Sequence, residues 1–183
     1  VNVQGRTRDG RGVSSIFFAS GGFGALDGLD GAATTPSPSN MTGTPIEVWE
    51  DLTGMLIESK ALLEDSGGPG EYRGGLGQQI EFVNDSGSEI AIACLAGRTD
   101  FAPRGVRGGR PGGLREIRVN GTKVHPKGRY VLAPGDRLTT IEAGGGGFGD
   151  PRRRNAAALA RDVAQGLVSA RSAAEDYGMP VDG

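Results

Sequence analysis

Apolar positions along the chain fall in short runs separated by polar, glycine-rich stretches, and most runs are too short for helices. Val13-Ser14-Ser15-Ile16-Phe17-Phe18-Ala19 reads as a strand that stops at Gly21-Gly22-Phe23-Gly24, where an unhindered backbone can turn or approach another group. Residues 28–45 have almost no apolar period and predict a long loop, a feature that is functional or mobile when it occurs inside a compact domain. Glu47 to Glu50 suits a short helical turn, whereas the apolar spacing from Met55 to Leu63 fits neither helix nor strand well.

Further along, Leu76–Val83 and Glu89–Leu95 flank the turn residues Asn84-Asp85-Ser86-Gly87 and predict a hairpin. Residues 97–113 hold four arginines among six glycines and read as a second long loop. A second hairpin pairs Leu114–Val119 with Thr122–His125 across Asn120-Gly121, a dipeptide that tolerates the two positive φ values of a type I′ turn. A third pairs Arg129–Ala133 with Arg137–Ala143 across Pro134-Gly135-Asp136. Only the C-terminus speaks for helix. Asp150-Pro151 starts one that continues through Ala156–Gln165, and Ser169 caps another that ends before Gly178. The expected fold is mainly β with glycine-rich loops and two short C-terminal helices (α+β), divided into a β domain over 1–150 and a helical tail over 151–183.

Composition changes this picture in one respect. Glycine supplies 34 of 183 residues, well over twice the usual share of roughly 7%. The glycines cluster between apolar segments without low-complexity repetition, which favours ordered turns and close backbone contacts over disorder. Twenty Lys+Arg against 22 Asp+Glu give a net charge of −2, too balanced to point to nucleic acid or an anionic membrane. No run approaches the roughly 18 apolar residues of a membrane span, and no signal peptide is visible. The lone Cys94 sits in an apolar run, so no internal disulfide forms, and a cytoplasmic location fits best. Sequons at Asn40, Asn84 and Asn120 carry no weight without a secretion signal. The start at Val1 rather than Met suggests a piece of a longer protein.

Several chemistries drop out. None of the three lysines stands in a phosphate-binding loop, and Gly21–Gly24 fails the dinucleotide fingerprint at its last glycine. One His and one Cys do not make a structural zinc site, so no metal is expected on this chain. His125, beside Pro126 at a strand end, reads as structural rather than as a triad base. Gly144–Gly149 before Asp150 could hold an anion, but the Asp150 carboxylate would occupy that cap, which favours close backbone packing. Glu47 and Glu50, three residues apart, could do acid–base work, although a solvated acidic pair is the default. Arg73 is the cation of the 67–75 glycine tract able to pair bidentately with an anion.

The ordered set of segments says more than any one of them. Gly21-Gly22-Phe23-Gly24-Ala25, Asp30-Gly31, Asn40 and Pro45-Ile46-Glu47-Val48 with Glu50 come first. Asp65-Ser66-Gly67-Gly68-Pro69-Gly70 follows, then Tyr72-Arg73-Gly74-Gly75-Leu76-Gly77. Pro134-Gly135-Asp136, Gly144–Pro151 and a tail containing Asp162-Val163, Gly166–Ser169 and Asp176-Tyr177-Gly178 complete the set. In order and spacing these resemble the C-terminal portion of the hydantoinase B/oxoprolinase family. The resemblance implies one part of a B-type subunit within a hetero-oligomer, its N-terminal part lying outside this chain. A hydantoinase A-type subunit would bind and use ATP. The implied activity is ATP-dependent hydrolysis of a ring amide, 5-oxoproline or a hydantoin, by an enzyme inactive as this piece alone. Related carboxylases of acetone or acetophenone give an alternative, and a non-catalytic assembly module gives another. ATP and a divalent cation are expected in the complete enzyme, with neither bound by this piece. Within the resemblance, Glu47, Glu50 and Arg73 stand out as catalytic candidates, and Gly22, Gly24, Ser66, Gly67 and Gly68 as walls of a substrate site. Leu52-Thr53-Gly54 departs from the proline-containing stretch expected of the family there.

Overall fold

A computed structural model of the chain describes residues 1–37, 39, 43 and 45–180; Asn40, part of the resemblance, lies outside them. The described residues form nine strands in two antiparallel sheets that face each other across one apolar core. The strands are β1 (Asn2–Arg6), β2 (Gly12–Ile16), β3 (Met55–Leu62), β4 (Gln78–Asn84), β5 (Ile90–Leu95), β6 (Glu116–Val119), β7 (Thr122–Lys123), β8 (Lys127–Leu132) and β9 (Arg137–Ile141). One sheet runs β2-β1-β5-β8, the other β3-β4-β9-β6-β7. Alternate residues of each strand point inward, so Val3, Ile90, Ile92 and Leu132 meet Ile80, Phe82, Ile117 and Leu138. The mainly β architecture expected from the sequence is the one observed.

Helix α1 (Ile46–Thr53) plugs one end of this core. Trp49 and Thr53, four apart, share its buried face, and Gly54 ends it at φ 71°, donating its amide to Glu50 O. Trp49 packs edge-on against Phe17 and Phe82, with centroids 5.0 and 5.6 Å away. The unreadable stretch after it is the edge strand β3. A register shift between Ile57 and Ser59 and exposure of most of its side chains explain why its apolar spacing follows no clean period.

Two of the three expected hairpins are not hairpins. β4 pairs with β3 and β9, while β5 pairs with β1 and β8, so the 85–89 turn carries the chain from one sheet to the other. β8 and β9 likewise belong to opposite sheets. The buried Asn84 ties both crossings together. Its Nδ2 donates to Ser88 O and Leu132 O at 2.9 and 2.8 Å, its Oδ1 accepts from Ser86, and its backbone bonds Gly135 and Asp136. The β6–β7 hairpin does form, with Asn120 and Gly121 at φ 48° and 77°.

The glycine tracts form a second ordered body beside the sandwich. Segments around residues 21–32, 66–77, 103–113 and 143–149 run alongside one another, and each bonds to several neighbours rather than to two as in a sheet. Gly145 donates to Gly75 O and accepts from Gly68 N, both at 2.8 Å, and a Cβ on it would overlap Phe23 O. Gly75 in turn donates to Phe23 O at 2.8 Å, and a Cβ there would strike Ala32 O. Backbones approach this closely only where side chains are missing.

A 3-10 turn, Pro151–Arg153, leaves this body with Asp150 Oδ1 accepting the Arg152 amide. The first C-terminal helix does not continue from it, because Asn155 starts anew by capping α2 (Ala156–Ala164). Ser169 caps α3 (Ala170–Glu175) as expected. Leu159, Val168, Ala173 and Tyr177 form the small core that joins α2 and α3. A buried charge network fastens them to the glycine body. Arg154 bonds both oxygens of Asp30 at 2.8 Å and Asp162 at 2.6 Å, while Arg73 Nε contacts Asp162 at 3.3 Å.

Candidate functional site

Where the sandwich meets the glycine body, a cavity of about 470 Å³ opens to solvent. Its lining combines bare backbone, from Gly21–Gly24 and Gly145-Gly146, with the charged residues Arg98, Arg104, Arg115 and Glu142. The bare backbone has a chemical consequence. Among the described residues, no acceptor takes the amide protons of Gly24 or Gly146, although Gly146 is buried. Buried amides are almost always paired, so the unpaired Gly146 N–H is unusual, and the half-buried Gly24 N–H beside it is likewise without a protein acceptor.

Glu142 stands just past the end of β9. Leu138 and Thr140 face the core, and the same alternation turns Glu142 inward, leaving its side chain 3% exposed. Its partner Arg115, just before β6, places Nε 3.0 Å from Oε2. The N–H points off that oxygen, so the pair is an ion contact rather than a hydrogen bond, and Oε1 has no partner. Burial pushes the Glu142 carboxyl above its ordinary range, and the nearby Arg115 opposes this only in part. A carboxyl held this way can keep or exchange a proton nearer neutrality than a free glutamate can.

The sequence-derived candidates divide. Gly22 and Gly24 line the cavity. Ser66, Gly67 and Gly68 lie inside the glycine body. Ser66 Oγ donates to Leu63 O and accepts from Gly77 N, and a Cβ on Gly67 or Gly68 would overlap a neighbouring carbonyl. Arg73 is buried between Asp162 and the Gly74 carbonyl, which its Nη1 reaches at 2.7 Å. Glu47 is exposed on α1, and Glu50 Oε1 accepts the Ile57 amide at 2.7 Å, tying α1 to β3. Neither acid lines the cavity. Glu142 and Arg115 escaped the sequence reading. The available signal was a charged side chain at an inward position of the strand pattern Leu138-Thr139-Thr140-Ile141-Glu142.

No helix of the described residues is long and apolar enough to cross a membrane. His125 lies at the surface, its Nδ1 2.9 Å from Lys127 O.

The sequence profile of hydantoinase B/oxoprolinase matches residues 1–151. The caprolactamase subunit beta of Pseudomonas jessenii is 31% identical over 180 residues, covering 93% of this chain and 31% of that protein. A 5-oxoprolinase of Pestalotiopsis fici is 31% identical over 147 residues, covering 72% and 11% respectively. In structure, the ATP-dependent caprolactamase of Pseudomonas jessenii matches all of this chain and 34% of its own, with TM-score 0.86 and 28% identity. Nucleotide-free acetone carboxylase shares the fold at TM-score 0.80 and 22% identity, over 97% of this chain and 29% of its own. The chain thus spans about a third of the caprolactamase subunit and less of the oxoprolinase. With a family match running from the first strand through the last glycine tract, this chain belongs to the hydantoinase B/oxoprolinase family.

Proposed function

We propose that the chain is the C-terminal portion of a B-type subunit that opens cyclic amides, 5-oxoproline or hydantoins, using ATP bound by an A-type partner subunit. The observation that carries this reading is the match of the whole chain to an ATP-dependent caprolactamase, an enzyme named for a lactam and for ATP. The cavity supplies a chemical rationale. An unstrained lactam is a poor electrophile, and attack on its carbonyl builds negative charge on oxygen. The unpartnered amides of Gly24 and Gly146 are suited to receive that charge without reorganising, because hydrogen bonds from the residues on either side fix their backbone. Glu142, half-paired with Arg115, is placed to hold or move a proton beside them. Gly22 shapes the same wall, while Ser66, Gly67, Gly68 and Arg73 position it from behind. Glu50 ties α1 to β3 and Glu47 is exposed, both outside the cavity lining.

ATP and its divalent cation belong, on this reading, to other parts of the complete enzyme. Among the described residues no group of three or more His, Cys, Asp or Glu could hold a metal ion.

A second reading, carboxylation of a ketone, rests on the 26% identity over 210 residues to the acetone carboxylase alpha subunit of Xanthobacter autotrophicus. The two separate in one assay on the full-length subunit with its partner. ADP release that requires 5-oxoproline, hydantoin or caprolactam supports the ring-amide reading. ADP release that instead requires bicarbonate and acetone overturns it.

A further inference from the structure

The cavity carries more positive charge than its own glutamate offsets. Three arginines line it against one carboxylate, and Arg115 is the one engaged with Glu142. Among the described residues neither Arg98 nor Arg104 has a carboxylate partner, whereas the neighbouring loop cations Arg107 and Arg110 are paired with Asp27 and Asp176. Both free side chains stand at the solvent-facing rim. Arg98 is also held in a costly conformation. Its φ is 61°, in the left-handed region that a bulky residue avoids, and its carbonyl is fixed there by the Arg115 amide at 2.9 Å. Such strain persists only where the surroundings impose it, and here it belongs to a residue that lines the cavity.

The geometry points to Arg98 and Arg104 as specificity-determining residues that select an anionic ring amide, binding its carboxylate while the ring sits against the Gly22–Gly24 and Gly145-Gly146 wall. This rests on the ring-amide reading of the same cavity. The placement accounts for the two kinds of group that line the cavity. The backbone donors face the reacting carbonyl and are indifferent to what the ring carries. The exposed arginine side chains at the rim recognise a substituent and leave the chemistry untouched. A planar guanidinium offers two parallel N–H donors to a carboxylate, an interaction unavailable to a neutral lactam. Two uncompensated cations at a cavity mouth also raise the local concentration of an anionic substrate.

The test compares 5-oxoproline with 2-pyrrolidinone, the same ring without the carboxylate, on the full-length subunit and its partner. Expected is a kcat/KM at least about tenfold higher for 5-oxoproline per arginine contact. Arg98→Gln and Arg104→Gln should each raise KM for 5-oxoproline about tenfold with kcat little changed, and leave 2-pyrrolidinone turnover as it was. Arg104→Lys should restore part of the loss. Equal use of the two rings, or equal damage to both by the arginine variants, overturns the assignment. Calorimetric titration of the full-length subunit with 5-oxoproline, 2-pyrrolidinone and inorganic phosphate reads binding without turnover. Should no ring amide drive ADP release, the functional reading fails. The anion site then stands or falls on whether 5-oxoproline binds, 2-pyrrolidinone does not, and both glutamine variants abolish the difference. Phosphate binding that is lost in Arg104→Gln, with 5-oxoproline binding unchanged, would assign the cations to a phosphoryl group and overturn the carboxylate.

Discussion

A Cβ is the smallest addition a glycine can suffer, and in this chain its effect depends on position. At Gly145 it would overlap the Phe23 carbonyl oxygen, an atom of a rigid neighbouring backbone. Gly145→Ala should therefore cost about 3 kcal/mol or more, since the segments cannot part without breaking the bonds to Gly68 and Gly75. At Gly24 the nearest atom to a Cβ is Gly146 O at 3.8 Å, ordinary contact, so Gly24→Ala should change stability by under about 1 kcal/mol. Urea midpoints of the two variants check the pair, and equal losses would show that glycine here serves flexibility rather than packing. Glu142 gives a pH dependence. Its carboxyl is raised by burial above the ordinary value of 4.5. The stability it contributes is complete below that value and is lost as pH rises through its folded value. The stability of the native protein relative to Glu142→Gln should thus fall as pH rises from about 4 and level off above the folded value. A difference that stays flat from about pH 4 to about pH 8 would place the carboxylate in a solvated setting.

Elements are fastened here by single side chains. α2 and α3 share a core of four buried residues, too little to hold them on their own, and Arg154 supplies the anchor through Asp30 and Asp162. Bonds from Arg154 outweigh the burial that would raise Asp30, and hold its carboxyl below the ordinary range. Arg154→Met should cost about 3 kcal/mol, the lower end for a broken buried pair, because Asp30 is 37% exposed and Arg73 still faces Asp162. Hydrogen exchange should show protection lost across α2 and α3 and kept across β4, β5 and β9. Uniform loss over both sheets would mean that the network supports the whole fold. The same scale explains what was legible. Asn120-Gly121 announced its turn and Ser169 its cap, because each acts within a few residues of itself. β1 was not legible, since its Val1/Val3 alternation is too short to separate from a loop. Asp150 looked like the cap of a long helix, yet Asn155 caps α2 separately, a competition between two good capping residues that only the path of the chain resolves.

At the scale of the molecule, a sandwich and a glycine body meet at an open cavity, and each contributes what the other lacks. The sandwich delivers Arg115 and Glu142 at strand ends, and the glycine body delivers backbone donors without side chains to cover them. The amino-acid sequence by itself determined most of the strand segments, the long loops, the presence of C-terminal helix and the family, because alternation, turn chemistry and the order of glycine signatures are local properties. Two of the cavity's glycines, Gly22 and Gly24, were legible on the same ground. Tertiary structure alone decided that β4 and β5 lie in opposite sheets, that Arg73 is enclosed by Asp162, and that Glu142 faces Arg115 beside the glycine wall. The reason is physical. Side-chain parity tells a strand which face to bury but not which strand to join, and a glycine, having no side chain, encodes that something must come close without encoding what.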